Sequence, residues 1–240
     1  MTNKTNNKTG TLYGLGVGPG DPELLTLKAL RILRTVPVLV YPAPVEGESM
    51  ARAIAAEHLP GGQAEIAIRM PLDAARFPAE EIYAAAACEI AEHLRSGHDV
   101  AVLCEGDPFF YGSFMYLFAR LTGEHEIKIV PGVSSPMACA AALHAPLAAR
   151  DDVLSILPAP LDEKVLWERL KTCDAAAIVK VGRHISKVRR VLVDLDLETR
   201  ARYIERASLA AERIIPLSEA DDPAPYFSMI LVHRRGEAWA

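Results

Sequence analysis

The chain has 240 residues, 50% of them hydrophobic and 24% charged, with a formal net charge of −5. That balance is ordinary for a folded globular protein and supplies no basic field for nucleic acid or an anionic membrane surface. No apolar stretch approaches the roughly 20 residues that span a bilayer. The polar opening MTNKTNNKTG has no apolar leader core, so a cytoplasmic protein with a disordered tail over residues 1–10 is expected.

After the tail, residues 12–17 read as a buried strand. Asp21, Pro22 and Glu23 then supply an N-cap, a first-position proline and an acid that suits the helix dipole. One helix is predicted from there to about Arg34. A strand over 36–44, a helix over 48–59 and a strand over 63–71 follow, then a long alanine-rich helix over 79–95. A strand beginning at 99 runs into CEGDPFFYGS, a helix covers 114–121, and residues 126–147 repeat the order of strand, turn and helix. Such alternation argues a parallel sheet covered on both faces.

Beyond that point come a strand over 153–157, a helix over 162–172, a strand over 175–181 and a helix over 184–194. Strands over 201–206, 213–216 and 226–233 close the chain without long helices between them, which argues a mixed sheet. The expected fold is α/β in two domains, 11–147 and 148–240, with the boundary close to 145–151. Cys88, Cys104, Cys139 and Cys173 form no CxxC pair and stand beside no histidine at zinc-finger spacing. They read as small buried hydrophobes in a reducing compartment, and no metal site is expected.

The glycine-rich loop after the first strand invites a dinucleotide reading, and its spacing refuses it. GxGxxG from Gly14 would need glycine where Pro19 stands, and from Gly16 where Asp21 stands. The second strand ends in VLVYPAP with no carboxylate for a ribose, and no Gly-Lys-Ser/Thr follows the loop. A nicotinamide-dependent oxidoreductase is therefore disfavoured. Two further strands end in glycine loops: Glu105-Gly106-Asp107-Pro108 and Pro131-Gly132-Val133-Ser134. Ligands of open α/β sheets bind outside the carboxyl ends of the strands, so three such loops describe one binding edge better than three separate turns.

GLGVGPGDPELLTLKA (14–29), CEGDPFFYGS (104–113) and VPGVSS (130–135) resemble, in this order, the signatures of the tetrapyrrole (class III) methyltransferases, which use S-adenosylmethionine. Together with YP at 41–42 and YFSMILV at 226–232, their wording is most similar to the branch that methylates carbon-20, a bridge carbon of a corrin precursor. Within the family, the cobalt-chelated ring is the alternative substrate, and other ring carbons or diphthamide are more distant ones. A non-catalytic cofactor-binding module is the reading outside enzymes, and retention of all three loops counts against it.

The resemblance implies two α/β domains with the active cleft between them, usually in a homodimer. It implies cofactor contacts at Pro19, Glu105, Gly106, Asp107, Phe110, Ser134 and Ser135, and from the second domain at Val181, Ala207, Ser228 and Met229. Asp107 and Tyr111 are the candidates for catalysis, as the ionisable or hydroxylic groups nearest the loops. A polycarboxylate tetrapyrrole must be held by local cations in an acidic protein. Arg150, Arg183, His184 and Lys187 are the candidates, from the inter-domain link and the segment after VKVG.

Overall fold

The computed structural model describes residues 9–70, 80–236 and 238. Residues 1–8 of the tail expected over 1–10, the end of the third strand at Pro71 and the start of the long helix at Ala79 lie outside the described residues, while Gly10 is buried and its amide donates to the Leu94 carbonyl at 2.8 Å. Two compact α/β units divide the chain after Ser134.

In the first unit, β1 (Thr11–Gly16), β2 (Val38–Pro44), β3 (Ala64–Met70), β4 (Val100–Cys104) and β5 (Glu126–Val130) form one sheet in the order β3-β2-β4-β1-β5. Every neighbouring pair is parallel. Helices α1 (Leu27–Leu33) and α2 (Met50–Ala55) cover one face, where Ala29, Leu33 and Ile54 meet Leu15, Leu39 and Leu103. Helices α3 (Glu80–Arg95) and α4 (Phe114–Leu121) cover the other, where Tyr83, Ile90, Leu94 and Leu117 meet Leu12, Val40 and Val102. Covering both faces is why β4 reads VAVLC, with every residue buried. Gly14 is a close-approach position, since a Cβ built there would come 2.7 Å from the Phe114 ring. Phe114 therefore lies directly on β1.

The helix predicted from Asp21 to Arg34 is broken in two. Asp21 does cap, accepting the Glu23 amide at 2.8 Å, but only a single 3-10 turn, Pro22–Leu24, follows it. Leu25 and Thr26 are extended, and the Thr26 hydroxyl accepts the Ala29 amide at 3.1 Å to start α1 afresh. A threonine that bonds a nearby amide offers the backbone an alternative to continuing the helix.

In the second unit, β6 (Leu154–Pro158), β7 (Ala175–Val179), β8 (Ala201–Glu205), β9 (Arg213–Ile215) and β10 (Ser228–His233) form a sheet in the order β6-β7-β10-β8-β9. It is mixed: β6 and β7 are parallel, and the remaining pairs are antiparallel. Helices α6 (Glu163–Thr172) and α7 (Ile185–Asp194) bury Leu166, Leu170, Val188 and Leu192 against Ile178, Tyr203 and Ile230. Helix α5 (Ser135–Ala142) packs on the other face with Cys139 and the following Leu143, against Ala177, Ile204, Met229 and Leu231. That packing puts α5 in the second unit, so the division falls earlier than the boundary expected near 145–151. Among the described residues no helix is long and apolar enough to cross a membrane.

Candidate functional site

Because β4, β1 and β5 are neighbours, the loops that leave them lie side by side. The chain from β1 moves through α1 toward β2, while the chain from β4 moves through α4 toward β5. The crevice between β1 and β4 is thus where the winding reverses, the place where open α/β sheets take nucleotides. Here it is closed by main chain. Gly18 and Gly106 exchange both hydrogen bonds, at 3.3 and 2.8 Å, and the Val17 amide donates to the Cys104 carbonyl at 2.9 Å. The glycine at 106 has φ 64 and that at 18 has φ 83, conformations that side chains with a Cβ rarely adopt.

Gly16 and Gly132 serve a related purpose. A Cβ on Gly132 would stand 2.1 Å from the Gly106 carbonyl oxygen, and one on Gly16 would stand 2.5 Å from the Gly132 nitrogen. The glycines therefore let three backbones stack on one another. That answers what the opening loop is for.

Asp107 fastens the same loops through its side chain. One carboxylate oxygen accepts the Phe109 amide at 2.9 Å, and the other accepts the Gly132 amide at 3.1 Å. Glu105 leaves β4 exposed; desolvation raises its carboxyl pKa, and the Ala51 amide of α2 opposes the rise. Burial likewise pushes the Cys104 thiol up, with Glu105 and Asp107 adding to it. Phe110 is half-buried and sets its ring edge-on to Tyr111 at 5.1 Å. Tyr111 is exposed and held at φ 55, a sparsely populated conformation of the kind that collects at functional loops. Pro19 is half-buried between Gly18 and Gly20, Ser134 is half-buried just ahead of α5, and Ser135 opens that helix exposed.

In the second unit the antiparallel register brings four sequence candidates to one edge. Ile230 pairs with Ile178 and Ser228 pairs with Glu205, so the start of β10 lies between the exits of β7 and β8. Val181, Ala207, Ser228 and Met229 all sit there. Ser228 is buried and donates to the Pro225 carbonyl at 2.8 Å, while Met229 and Ala207 pack on the α5 face. Val181 has no exposed surface and belongs to the core under α6 and α7, where it seats the Gly182–His184 turn.

The basic candidates separate. Arg183 is exposed at this edge and, among the described residues, has no hydrogen bond or ion pair. Burial holds the His184 pKa below its usual value, and Lys187 and Arg183 add to that. Lys187 donates to the Leu161 carbonyl and so ties α7 to the loop before α6. Arg150 stands at the opposite end of the sheet, before β6, beside Asp152, which pairs with His233 at the end of β10. The structure therefore does not bring Arg150 to the edge that carries the other candidates. Three residues at that edge escaped sequence reasoning: Arg206, Tyr226 and Phe227. Their position follows from strand pairing, which the local sequence does not display.

A parallel α/β unit with glycine-stacked exit loops, followed by a mixed α/β unit with the signature residues at one strand edge, defines a class of methyl-transferring enzymes. The signature of the tetrapyrrole (corrin/porphyrin) methylases matches residues 11–221, and the chain belongs to that family. The cobalamin biosynthesis protein CobIJ of Mycobacterium tuberculosis (strain H37Rv) is 44% identical over 232 residues. The match covers 93% of this chain and 46% of that protein, so the chain spans about half the length of that relative. The precorrin-2 C(20)-methyltransferase of a Sinorhizobium species is 40% identical over 93% of this chain and 95% of its own length. Among solved structures, cobalt precorrin-4 methyltransferase CbiF superposes with a TM-score of 0.73 at 25% identity, over 95% of this chain and 96% of that one.

Proposed function

We propose that this chain transfers a methyl group from S-adenosylmethionine to carbon-20 of precorrin-2, giving precorrin-3A in construction of the corrin ring. The observation that carries the reading is the near end-to-end likeness, at 40% identity, to a relative of that name, together with glycine loops stacked as described above. The closed crevice between β1 and β4 leaves no cradle for a pyrophosphate, which supports a methionine-linked nucleoside over a dinucleotide.

The methyl donor supplies an electrophilic carbon on a sulfonium. What the chain must do is hold that carbon against carbon-20 at near-attack distance, which can supply about 7–11 kcal/mol of the barrier. The family likeness carries the donor's site over to Pro19, Gly106, Phe110 and Ser134 of the first unit and to Ser135, Val181, Ala207, Ser228 and Met229 of the second. Glu105, at the start of the β4 loop, borders that site. Asp107, with both oxygens bonded to main chain, acts by shaping the loop. Tyr111 is the hydroxyl we assign to relay the proton that carbon-20 releases. A homodimer follows from the family likeness, and sedimentation would check it.

The decisive experiment incubates the pure protein with methyl-labelled S-adenosylmethionine and either precorrin-2 or its cobalt complex. One label on the metal-free ring is expected. Transfer to the cobalt complex alone would reassign the substrate, and transfer to neither would overturn the reading. Calorimetry should show S-adenosylhomocysteine binding and no NAD binding.

A further inference from the structure

Just past β8 the chain makes a costly arrangement. Glu205 is 1% exposed, a carboxylate buried at the end of a strand. It accepts the Tyr203 hydroxyl at 2.8 Å and meets the Arg206 guanidinium at 3.4 Å and that of Arg213 at 3.8 Å. Burying a carboxylate is unfavourable unless its partners are well placed. Arg206 itself stands at φ 49 and Ser208 at φ 65, two residues with side chains in the left-handed region within three positions. Strain of this kind persists where the surroundings fix it, and it collects at ligand sites.

The arrangement aims at a particular place. The Arg206 amide donates to the Phe227 carbonyl at 2.7 Å, and the Ala224 amide donates to the Gly182 carbonyl at 3.2 Å. The segment 224–227 thus bridges the exits of β8 and β7, with Arg206 at one end and Arg183 beside the other. Between them Tyr226 is 75% exposed and Phe227 36% exposed, their rings edge to face at 5.0 Å. Exposed aromatic rings in a segment whose two ends are bonded beside arginines offer apolar contact with carboxylate receptors next to it.

We propose that this patch receives the tetrapyrrole. Its apolar ring packs against Tyr226 and Phe227, its carboxylates meet Arg206 and Arg183, and buried Glu205 is the positioning residue that fixes Arg206. The assignment rests on the reading of the substrate given above. Charge complementarity selects the occupant, because an apolar ring with peripheral carboxylates matches both parts of the patch, and a neutral or cationic partner would match one part at most.

The test is an absorbance titration of the intact protein with sirohydrochlorin, a metal-free polycarboxylate tetrapyrrole, and with its fully methyl-esterified form. S-adenosylhomocysteine affinity is measured in parallel by calorimetry. Arg206→Ala should weaken sirohydrochlorin binding by about tenfold to a hundredfold, the worth of a hydrogen-bonded charge pair. Glu205→Gln keeps an acceptor for Tyr203 and should weaken binding several-fold less than Arg206→Ala, while Arg206→Lys should recover part of the loss. Tyr226→Ala, at an exposed position that leaves the core intact, should weaken the acid and the ester alike. Binding of the ester should not respond to Arg206→Ala, and S-adenosylhomocysteine affinity should hold within about twofold throughout. Wild-type binding of sirohydrochlorin in both Arg206→Ala and Tyr226→Ala overturns the patch while leaving the methyltransferase reading intact. Loss of S-adenosylhomocysteine binding in step with sirohydrochlorin also overturns it, by giving the patch to the donor. A wild-type protein that binds neither molecule overturns both.

Discussion

At the carboxyl edge of the first sheet the loops are held by main chain on main chain, with glycine wherever a Cβ would collide and one aspartate fastening two loops. At the corresponding edge of the second sheet, side chains do the holding. Glu205 grips Arg206, Lys187 reaches the Leu161 carbonyl, and Lys180, Arg206 and Ser208 share the left-handed positions with Gly182. A backbone template is stiff and tolerates almost no substitution. An edge built from side chains can change its charges and rings while keeping the sheet. On the assignments proposed above, the first edge meets the methyl donor and the second meets the tetrapyrrole.

The sharpest way to break that contrast is Gly132→Ala. Its methyl would meet the Gly106 carbonyl oxygen at 2.1 Å, backbone that cannot swing aside. We expect a loss of about 3 kcal/mol or more in urea unfolding and no measurable S-adenosylhomocysteine binding. Asp107→Asn is next. Its amide group can still accept from Phe109 but has no second acceptor for the Gly132 amide, a loss worth about 1–3 kcal/mol. Cofactor dissociation should rise by about tenfold with turnover falling alongside. Unchanged affinity with lowered turnover would make Asp107 a base and dissolve the comparison.

A smaller effect belongs to the far end of the second sheet and shows itself through pH. The Arg235 guanidinium, then the Ala149 amide and His233, hold the Asp152 carboxyl well below the usual carboxylate range. Folding favours the ionised form, so this contribution is complete above the unfolded value near 4 and is lost as pH falls below it. Asp152→Asn should flatten the acid side of the stability profile, read by urea unfolding between neutral pH and pH 3. The smallest change is expected from Lys187→Gln. Losing the bond to the Leu161 carbonyl should cost about 1 kcal/mol and leave the Michaelis constant for the tetrapyrrole nearly unaltered. A large rise in that constant would return Lys187 to the substrate site.

Much of the first unit could be read from the chain, because strands buried on both faces show as apolar runs and the glycines had collisions to avoid. The helix over 114–121 has the bounds expected of it. Thr26 escaped because a threonine inside an apolar helical pattern reads as a tolerated residue, not as a second cap. Alanine-rich α5 shows no distinct apolar face, so nothing local told which sheet it would join. Arg150 was placed by its nearness to the link in sequence, and strand direction puts it at the other end of the sheet from Arg183. Arg206, Tyr226 and Phe227 become neighbours of Arg183 only once β10 runs antiparallel between β7 and β8, a non-local fact.

The exchange between Gly18 and Gly106 also settles the sign of charge this edge can welcome. Phosphate loops work by turning unpaired amide hydrogens outward, so that a glycine-rich turn becomes an electropositive cup. Here the amides of Val17, Gly18, Gly106 and Gly132 are each taken by an oxygen of the protein itself. At those four positions the loops have no amide hydrogen left to give an anion. The same positions present no such obstacle to a ligand whose charge is positive, and a sulfonium is one.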